Sequence, residues 1–308
     1  MSVSFVFPGQ GSQSVGMLAD LAESYPQIDA AFEEASDAIG VDLYRIVREG
    51  PDTDLASTSV TQPALLTASY ALWQIWCSQS PIRPQQMAGH SLGEYSALVC
   101  SGAIAFADGV RLVRRRGELM QKAVPDGEGT MAAILGLDEA DIIRCCEEVD
   151  GVVSPANYNA PGQIVIAGTR HAVEQAVEAC QQAGAKRAVL LDVSGPFHCA
   201  LMLPARDEFA QTLSSMSISM PTIPVVQNVD AAIAADLNGV TDRLLKQLAE
   251  PVRWSSCVAT MIGNGSTSFV ECGPGKVLSG LNRRIDRSVT SFNIDTTDGL
   301  HKAIAEIA

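Results

Sequence analysis

The sequence predicts an α/β protein in which a large domain, built on a parallel sheet, carries a smaller inserted α+β domain. Two observations support this prediction. Short apolar runs at 86–90, 224–228 and 268–272 are followed by helical stretches, which is the pattern of parallel βα units. Residues 129–193 follow a different order of strands and helices. With 308 residues, 47% of them hydrophobic, the chain is long enough to bury a sizeable core.

The elements of the large domain follow in order. Residues 3–7 form an apolar run that stops at Pro8-Gly9, which indicates a buried strand entering a glycine-rich loop. Pro63 is expected in the first turn of a long apolar helix, where a missing N–H is tolerated. We predict strands at 3–7, 86–90, 224–228, 268–272 and 289–294, and helices at 20–40, 64–77, 92–101, 106–123 and 298–308.

The inserted segment is predicted to be ferredoxin-like. It contains strand patterns at 130–136, 152–157, 163–167 and 186–193, and helix patterns at 138–149 and 169–183. The order β-α-β-β-α-β is that of the ferredoxin-like motif. We therefore expect a large domain of residues 1–128 and 194–308 and a small domain of residues 129–193. A cleft between two domains is a favoured place for a ligand site.

Composition excludes several function classes. The formal net charge of -14 argues against binding to nucleic acid or to anionic membrane surfaces. The start of the chain lacks the basic and apolar regions of a signal peptide, and we find no apolar run of the ~18 residues that span a bilayer. The eight cysteines form no C-x-x-C pair, so we expect reduced thiols in a cytoplasmic protein and no structural metal.

The segment Gly89-His90-Ser91-Leu92-Gly93 is a G-x-S-x-G motif between a predicted strand and a predicted helix. In this nucleophile elbow, typical of α/β-hydrolase-like domains, the serine sits on a sharp turn with its hydroxyl exposed. The N–H of Leu92, at the start of the helix, then points toward a developing oxyanion. The large domain is therefore expected to be α/β-hydrolase-like. The alternative is a glycine-rich turn with a serine that caps a helix.

Arg116 lies on the apolar side of the helix predicted at 106–123. The side chains three and four positions away are all apolar: Leu112, Val113, Leu119 and Met120. Arg114, by contrast, has Glu118 within reach for an ion pair. A buried guanidinium costs several kcal/mol unless an anion pairs with it. Arg116 is therefore either a structural arginine at the edge of the core or a cation that binds a substrate carboxylate.

A serine nucleophile needs a base, and the histidines are His90, His171, His198 and His301. His90 adjoins the serine, His171 falls on a helix surface, and His301 is near the C-terminus. His198 lies in a short loop where the large domain resumes, so we favour it as the base. The alternative is a structural histidine. No spacing selects a third residue to orient the base, and neither Asp207 nor Asp230 stands out.

Four segments together resemble the malonyl-CoA:acyl carrier protein transacylases. They are residues 7–13 (Phe-Pro-Gly-Gln-Gly-Ser-Gln), residues 89–94 (Gly-His-Ser-Leu-Gly-Glu), Arg116-Gly117, and residues 273–275 (Gly-Pro-Gly). The resemblance runs in the same order from residue 5 to beyond 280 and includes the inserted domain. This combination is far more specific than G-x-S-x-G alone.

The resemblance implies a catalytic set. Ser91 would be the nucleophile and His198 the base. The backbone carbonyl of Gln247, rather than a carboxylate, would orient the imidazole, although a neutral acceptor stabilises imidazolium less. The N–H groups of Gln10 and Leu92 would form the oxyanion hole.

The resemblance also implies the substrates. Arg116 would bind the malonyl carboxylate, Gln62 would line the pocket, and Phe197 would disfavour a branched acyl group by about 1–3 kcal/mol. Malonyl-CoA would acylate the serine, and the phosphopantetheine thiol of holo acyl carrier protein would then take the malonyl group. No bound cofactor is implied. Basic residues for docking the acidic carrier are sought at 186–187, at Lys276 and at 283–284.

Three alternatives stay open. A serine hydrolase or thioesterase would share Ser91 and His198 but would leave Arg116 without an anion. An acyltransferase that serves polyketide synthesis rather than fatty acid synthesis would have the same residues. An inactive carrier-binding relative is disfavoured because both catalytic residues are present. We expect a monomer.

Overall fold

Two sheets organise the chain, and the computed structural model describes residues 2–307. The first part contains β1 (Val3–Phe7), α1 (Ala19–Ala22), α2 (Gln27–Ile39), α3 (Leu43–Glu49), α4 (Asp52–Ala56), α5 (Thr58–Gln79), β2 (Gln86–Gly89), α6 (Leu92–Cys100) and α7 (Phe106–Lys122). The middle part contains β3 (Gly129–Leu135), α8 (Glu139–Glu147), β4 (Val153–Ala160), β5 (Gln163–Thr169), α9 (Arg170–Gln182) and β6 (Arg187–Leu190). The last part contains a 3₁₀ turn (Ala200–Met202), α10 (Leu203–Ser214), β7 (Val225–Gln227), β8 (Ala232–Ile233), α11 (Leu237–Gln247), α12 (Trp254–Gly263), β9 (Ser268–Glu271), α13 (Val277–Ile285), β10 (Thr290–Asn293) and α14 (Thr297–Ile307).

The larger sheet has the strand order β10-β9-β1-β2-β7-β8. The pairs from β10 to β7 are parallel, and only β8 joins antiparallel. All five residues of β1 are buried, as expected for a parallel strand covered on both faces, and this explains its unbroken apolar run. Phe7 pairs with Gly89, so the loop after β1 and the turn after β2 lie at the same edge of the sheet.

The smaller sheet is antiparallel, with the order β4-β5-β3-β6. Helices α8 and α9 cover it through an apolar cluster that includes Ile134, Ile142, Ile166 and Val173. This arrangement is ferredoxin-like, and the predicted fold class is confirmed. The boundaries proposed at 128/129 and 193/194 stay predictions.

Two element predictions need correction, and one short strand was not predicted. Residues 20–40 form two helices rather than one, and Pro26 is the N-cap of α2. Helix α5 begins at Thr58, so Pro63 lies inside the helix and not in its first turn. The earlier start follows from burial, because Thr58 and Thr61 pack into the interior and tertiary contacts override the proline signal. The two-residue strand β8 is too short to be recognised from its sequence.

The two sheets are joined close to the predicted active site. Residues of β4 form main-chain hydrogen bonds with the segment after α11: Tyr158 N donates to Val252 O at 2.8 Å, and Val252 N donates to Ala156 O at 2.9 Å. The side chain of Asn159, also on β4, is 2.8 Å from Nε2 of His90. The smaller sheet therefore contacts both the residue before Ser91 and the segment after α11. Among residues 2–307 we find no helix with the length and apolar character needed to cross a membrane.

Candidate active site

Ser91 occupies a strained turn between β2 and α6. Its φ of 52° and ψ of -107° lie outside the ordinary regions for a residue with a side chain. The flanking glycines make the turn possible. A Cβ on Gly89 would lie 1.8 Å from the carbonyl carbon of Gly93, and a Cβ on Gly93 would lie 2.0 Å from the carbonyl oxygen of Phe7. The two glycines of the G-x-S-x-G motif are therefore a steric requirement, because the backbone at residue 89 lies against residue 93 and the backbone at residue 93 lies against Phe7.

Ser91 and His198 lie in hydrogen-bond contact. Ser91 Oγ is 2.7 Å from Nε2 of His198, and Nδ1 of the same ring is 2.6 Å from the carbonyl oxygen of Gln247. Because a carbonyl oxygen only accepts, Nδ1 carries the proton and Nε2 is free to accept one from Ser91. Burial, followed by the nearby charge of Arg116, lowers the pKa of His198 to about 3. The ring is thus a neutral base at physiological pH.

Arg116 is fully buried next to the serine. Nη1 donates to Gln62 Oε1 at 2.9 Å, and Nη2 donates to Gln247 Oε1 at 2.9 Å and to Ser91 Oγ at 3.2 Å. The guanidinium also lies 5.1 Å from the centre of the Tyr95 ring. Nε finds no acceptor among residues 2–307. A buried cation held only by neutral acceptors retains capacity to bind an anion.

Glu94 is a fully buried carboxyl group behind the serine that sequence reasoning did not assign. Its Oε1 accepts from Gln227 Nε2 at 3.0 Å, and its Oε2 accepts from Asn228 N at 2.8 Å and Gln247 Nε2 at 3.0 Å. Burial raises its pKa to about 7, against the lowering effect of these hydrogen bonds. A sequence signal existed, since Glu94 is the only charged residue in the apolar stretch 92–100.

A cavity of about 260 Å³ opens onto Ser91 between the two sheets. Gln10, Phe197 and His198 are among its lining residues, as is Asn157, whose side-chain oxygen has no hydrogen-bond partner within residues 2–307. Gln10 extends from the loop after β1, and the nitrogen of its side-chain amide is 3.4 Å from the hydroxyl of Thr58. The cavity joins the β1 loop, the elbow and the base in one site.

The other candidates lie elsewhere. His301 contacts the hydroxyl of Tyr25, at 3.1 Å, and does not contact Ser91. Asp207 pairs with Arg206 and Asp230 pairs with Arg243, so neither carboxylate orients His198. All eight cysteines are free thiols. Within residues 2–307, no group of three or more His, Cys, Asp or Glu side chains is placed to hold a metal ion.

Comparison with known proteins identifies relatives along nearly the whole chain. A family model described as an acyl transferase domain matches residues 4–295. The malonyl CoA-acyl carrier protein transacylase of Salmonella typhimurium is 53% identical over 98% of this chain and 99% of that protein. The relative of the same name from Bacillus subtilis is 43% identical over 98% of this chain and 96% of its own length.

Solved structures give the same result. An acyl carrier protein S-malonyltransferase from Vibrio cholerae has a TM-score of 0.96 at 49% identity, covering 98% of this chain and 100% of that one. A malonyl-transacylase solved in complex with a holo type II PKS acyl-carrier protein has a TM-score of 0.98 at 48% identity, covering 99% and 100% of the two chains. The chain therefore belongs to the malonyl CoA-acyl carrier protein transacylase family.

Proposed function

We propose that this protein transfers the malonyl group of malonyl-CoA to the phosphopantetheine thiol of acyl carrier protein in fatty acid synthesis, through an ester on Ser91. One observation carries the proposal: Ser91 Oγ lies 2.7 Å from a neutral histidine and 3.2 Å from a buried arginine. The histidine suits acyl transfer, and the arginine suits an acyl group that ends in a carboxylate.

The first half-reaction forms the malonyl ester. Ser91 Oγ attacks the thioester carbonyl while its proton moves to His198 Nε2, and the carbonyl of Gln247 holds the imidazolium through Nδ1. Negative charge develops on the carbonyl oxygen, where the N–H groups of Gln10 and Leu92 would stabilise it. As the intermediate collapses, the C–S bond breaks and His198 returns the proton to the departing sulfur.

The second half-reaction reverses the first with a new thiol. The thiol of holo acyl carrier protein gives its proton to His198 as its sulfur attacks the malonyl ester. The ester bond between the malonyl carbonyl carbon and Ser91 Oγ then breaks, and Oγ regains the proton from His198. The same cavity serves both substrates in turn, which makes the mechanism ping-pong. No cofactor takes part in this scheme.

Arg116 would bind the malonyl carboxylate by exchanging acceptors. The guanidinium has no exposed surface and is bonded to Gln62 and Gln247, so these side chains have to move to admit a carboxylate, which Nε, without an acceptor among residues 2–307, can also bind. The exchange replaces contacts between a cation and neutral oxygens by a pair of opposite charges, which is the stronger interaction in a buried site. Gln62 therefore holds the arginine, and its place in the pocket stays a prediction. Phe197, buried beside the base, would limit branching at the acyl α-carbon.

A basic surface formed by α13 and the turn between β4 and β5 would dock the acidic carrier. Arg283, Arg284 and Arg287 line a concavity of about 590 Å³ together with Pro161. Arg284 donates to Gln163 at 2.6 Å, and Gln163 lies in one strand register with Leu135 and Arg187, so Arg187 belongs to the same end of the small sheet. A local cluster of this kind attracts an acidic partner despite the net charge of -14. We further infer that the enzyme acts in the cytoplasm as a monomer.

Intact-protein mass spectrometry tests this function. Brief mixing with malonyl-CoA should add about 86 Da to the wild type and nothing to Ser91→Ala, and holo acyl carrier protein should then discharge the adduct. Adduct loss to water at the same rate without carrier would favour a hydrolase. Because a relative solved with a PKS carrier is 48% identical, fatty acid and polyketide carriers should be compared directly. Preference for a polyketide carrier would overturn the assignment to fatty acid synthesis.

A further inference from the structure

The buried carboxyl group of Glu94 accepts hydrogen bonds from residues close to the reacting groups. Three donors converge on its two oxygens, from Gln227, Asn228 and Gln247, at 2.8–3.0 Å. The carboxyl lies on α6, one turn after Ser91, with no exposed surface. Its oxygens face only N–H groups, so the site is built for a carboxylate that accepts from all three.

Two of these donors, Gln247 and Asn228, also contact the catalytic machinery. The amide of Gln247 donates to Glu94 and to the carbonyl of Ser91, and its oxygen accepts from Arg116. The main-chain carbonyl of the same residue holds His198. The side-chain oxygen of Asn228 accepts from the backbone N–H of Ser91 at 2.9 Å. One buried acceptor is thus linked to the nucleophile, the base and the arginine through two residues, Gln247 and Asn228, by both their main-chain and side-chain groups.

We propose that Glu94 is a positioning residue for malonyl transfer, which fixes the Gln247 amide so that Arg116 and His198 keep the relative placement that selects a carboxylate-bearing acyl group. Because an ionised carboxylate only accepts, it turns the NH₂ of Gln247 toward itself and the oxygen toward Arg116. Without this anchor the Gln247 amide is held only by the neutral oxygens of Ser91 and Asn228, at 3.0 and 3.2 Å, so Gln62 is the more firmly fixed acceptor of the arginine. The inference rests on the proposed malonyl transfer.

The conservative variant provides an internal test. In Glu94→Gln, one amide oxygen can still accept from Asn228 and Gln247. The new NH₂ would then face Gln227, whose side-chain oxygen has no partner among the described residues and can turn toward it. The cost is the bond from Gln227 to the carbonyl of Val240, at 3.2 Å. Glu94→Gln should therefore retain the arrangement that Glu94→Ala loses.

Glu271 supplies a matched control. Like Glu94 it is a fully buried carboxyl group, but it lies on β9 of the larger sheet. It accepts from the backbone N–H groups of Leu278 and Ser279 at 2.9 and 2.8 Å. These bonds tie β9 to α13 and do not reach Ser91, His198 or Arg116. Glu271→Ala therefore removes a buried acceptor of the same type without touching the site.

The experiment measures acylation of Ser91 by malonyl-CoA and by acetyl-CoA with quenched-flow mass spectrometry, together with the melting temperature of each variant. In Glu94→Ala, the rate of acylation by malonyl-CoA should fall by about 10²-fold, which is the effect expected when reacting groups are displaced by about 1 Å. The rate with acetyl-CoA should fall less. The malonyl-to-acetyl ratio should therefore drop about 10-fold, and Glu94→Gln should restore it. Glu271→Ala should lower the melting temperature and leave the ratio unchanged.

Two results would overturn the inference. One is a wild-type ratio in Glu94→Ala, which would make Glu94 a stabilising residue only; the other is a ratio in Glu94→Gln as low as in Glu94→Ala. If Glu94→Ala does not fold, Gln247→Leu removes the same amide link while keeping the main-chain acceptor of His198, and an unchanged ratio there also refutes the inference. Wild-type enzyme that malonyl-CoA fails to acylate would instead refute the proposed function.

Discussion

Replacing Arg116 by alanine removes the proposed carboxylate-binding group, and the structure sets the size of the effect. Without the arginine, the malonyl carboxylate would enter a buried site with no cation to pair with, and removing one partner of a buried, hydrogen-bonded charge pair costs about 2–5 kcal/mol. The bonds that Arg116 makes to Gln62 and Gln247 also have a charged donor, so the gain on binding comes from the pairing of opposite charges and not from the number of hydrogen bonds. Malonyl acylation should therefore fall by roughly 30-fold to 5,000-fold.

The assay is pre-steady-state acylation of Ser91, followed by intact mass, with malonyl-CoA and acetyl-CoA in parallel. Acetyl-CoA has no carboxylate, so its acylation rate should change by much less than the malonyl rate. Arg111→Ala is the matched control, because Arg111 lies on the same helix but is 55% exposed and pairs with Asp108. An exposed pair of this kind is worth about 0–1 kcal/mol, and the control should acylate normally.

A fall of less than about 3-fold in Arg116→Ala would refute the reasoning, because it is smaller than the lowest estimate for a buried carboxylate left without its cation. Equal losses with malonyl-CoA and acetyl-CoA would also refute it. That outcome would mean that Arg116 supports the structure of the site or the reactivity of Ser91, whose oxygen lies 3.2 Å away, and does not recognise the carboxylate.

Three further predictions follow from the geometry. The rate of acylation by malonyl-CoA should fall as the pH falls through about 7, because Glu94 then loses the carboxylate form that accepts from three donors, while His198, with a pKa of about 3, stays neutral. A stopped-flow pH profile of the wild type and of Glu94→Gln checks this. An inflection that persists in the variant would exclude Glu94 as its source. Gly93→Ala should be destabilised by about 3 kcal/mol or more, or fail to fold, because its Cβ would meet the backbone of Phe7 at 2.0 Å, and a normal melting temperature would contradict the elbow argument. Phe197→Ser should improve acylation by methylmalonyl-CoA relative to malonyl-CoA by about 1–3 kcal/mol, and an unchanged ratio of the two rates would remove Phe197 from substrate selection.

Local patterns predicted the parts of the site that depend on local sterics and periodicity. The spacing of Gly89 and Gly93 around Ser91 specifies a tight turn between β2 and α6, in which neither glycine has room for a Cβ. Helical periodicity placed Arg116 on the buried face of α7, and the structure has it fully buried. Elimination among four histidines indicated His198, which lies 2.7 Å from the serine.

Contacts between distant segments escaped this reasoning. The acceptor for His198 is a backbone carbonyl, which any residue at position 247 supplies, so only the family resemblance indicated it. The network around Glu94 joins α6, the end of β7 and the end of α11, and no pattern within one segment records that meeting. The early start of α5 has the same origin, because burial of Thr58 and Thr61 is a tertiary effect.

The proposed mechanism uses the neutral carbonyl of Gln247 where other serine enzymes use a carboxylate, and the charges around Ser91 would compensate for the difference. The cation of Arg116 contributes to the low pKa of His198, so with an acyl group that lacks a carboxylate the ring is a weak base. A malonyl carboxylate paired with Arg116 would offset this effect and raise the affinity of the ring for the serine proton. Selection for malonyl groups would then act on the chemical step as well as on binding, because the substrate's own charge strengthens the base that activates the nucleophile.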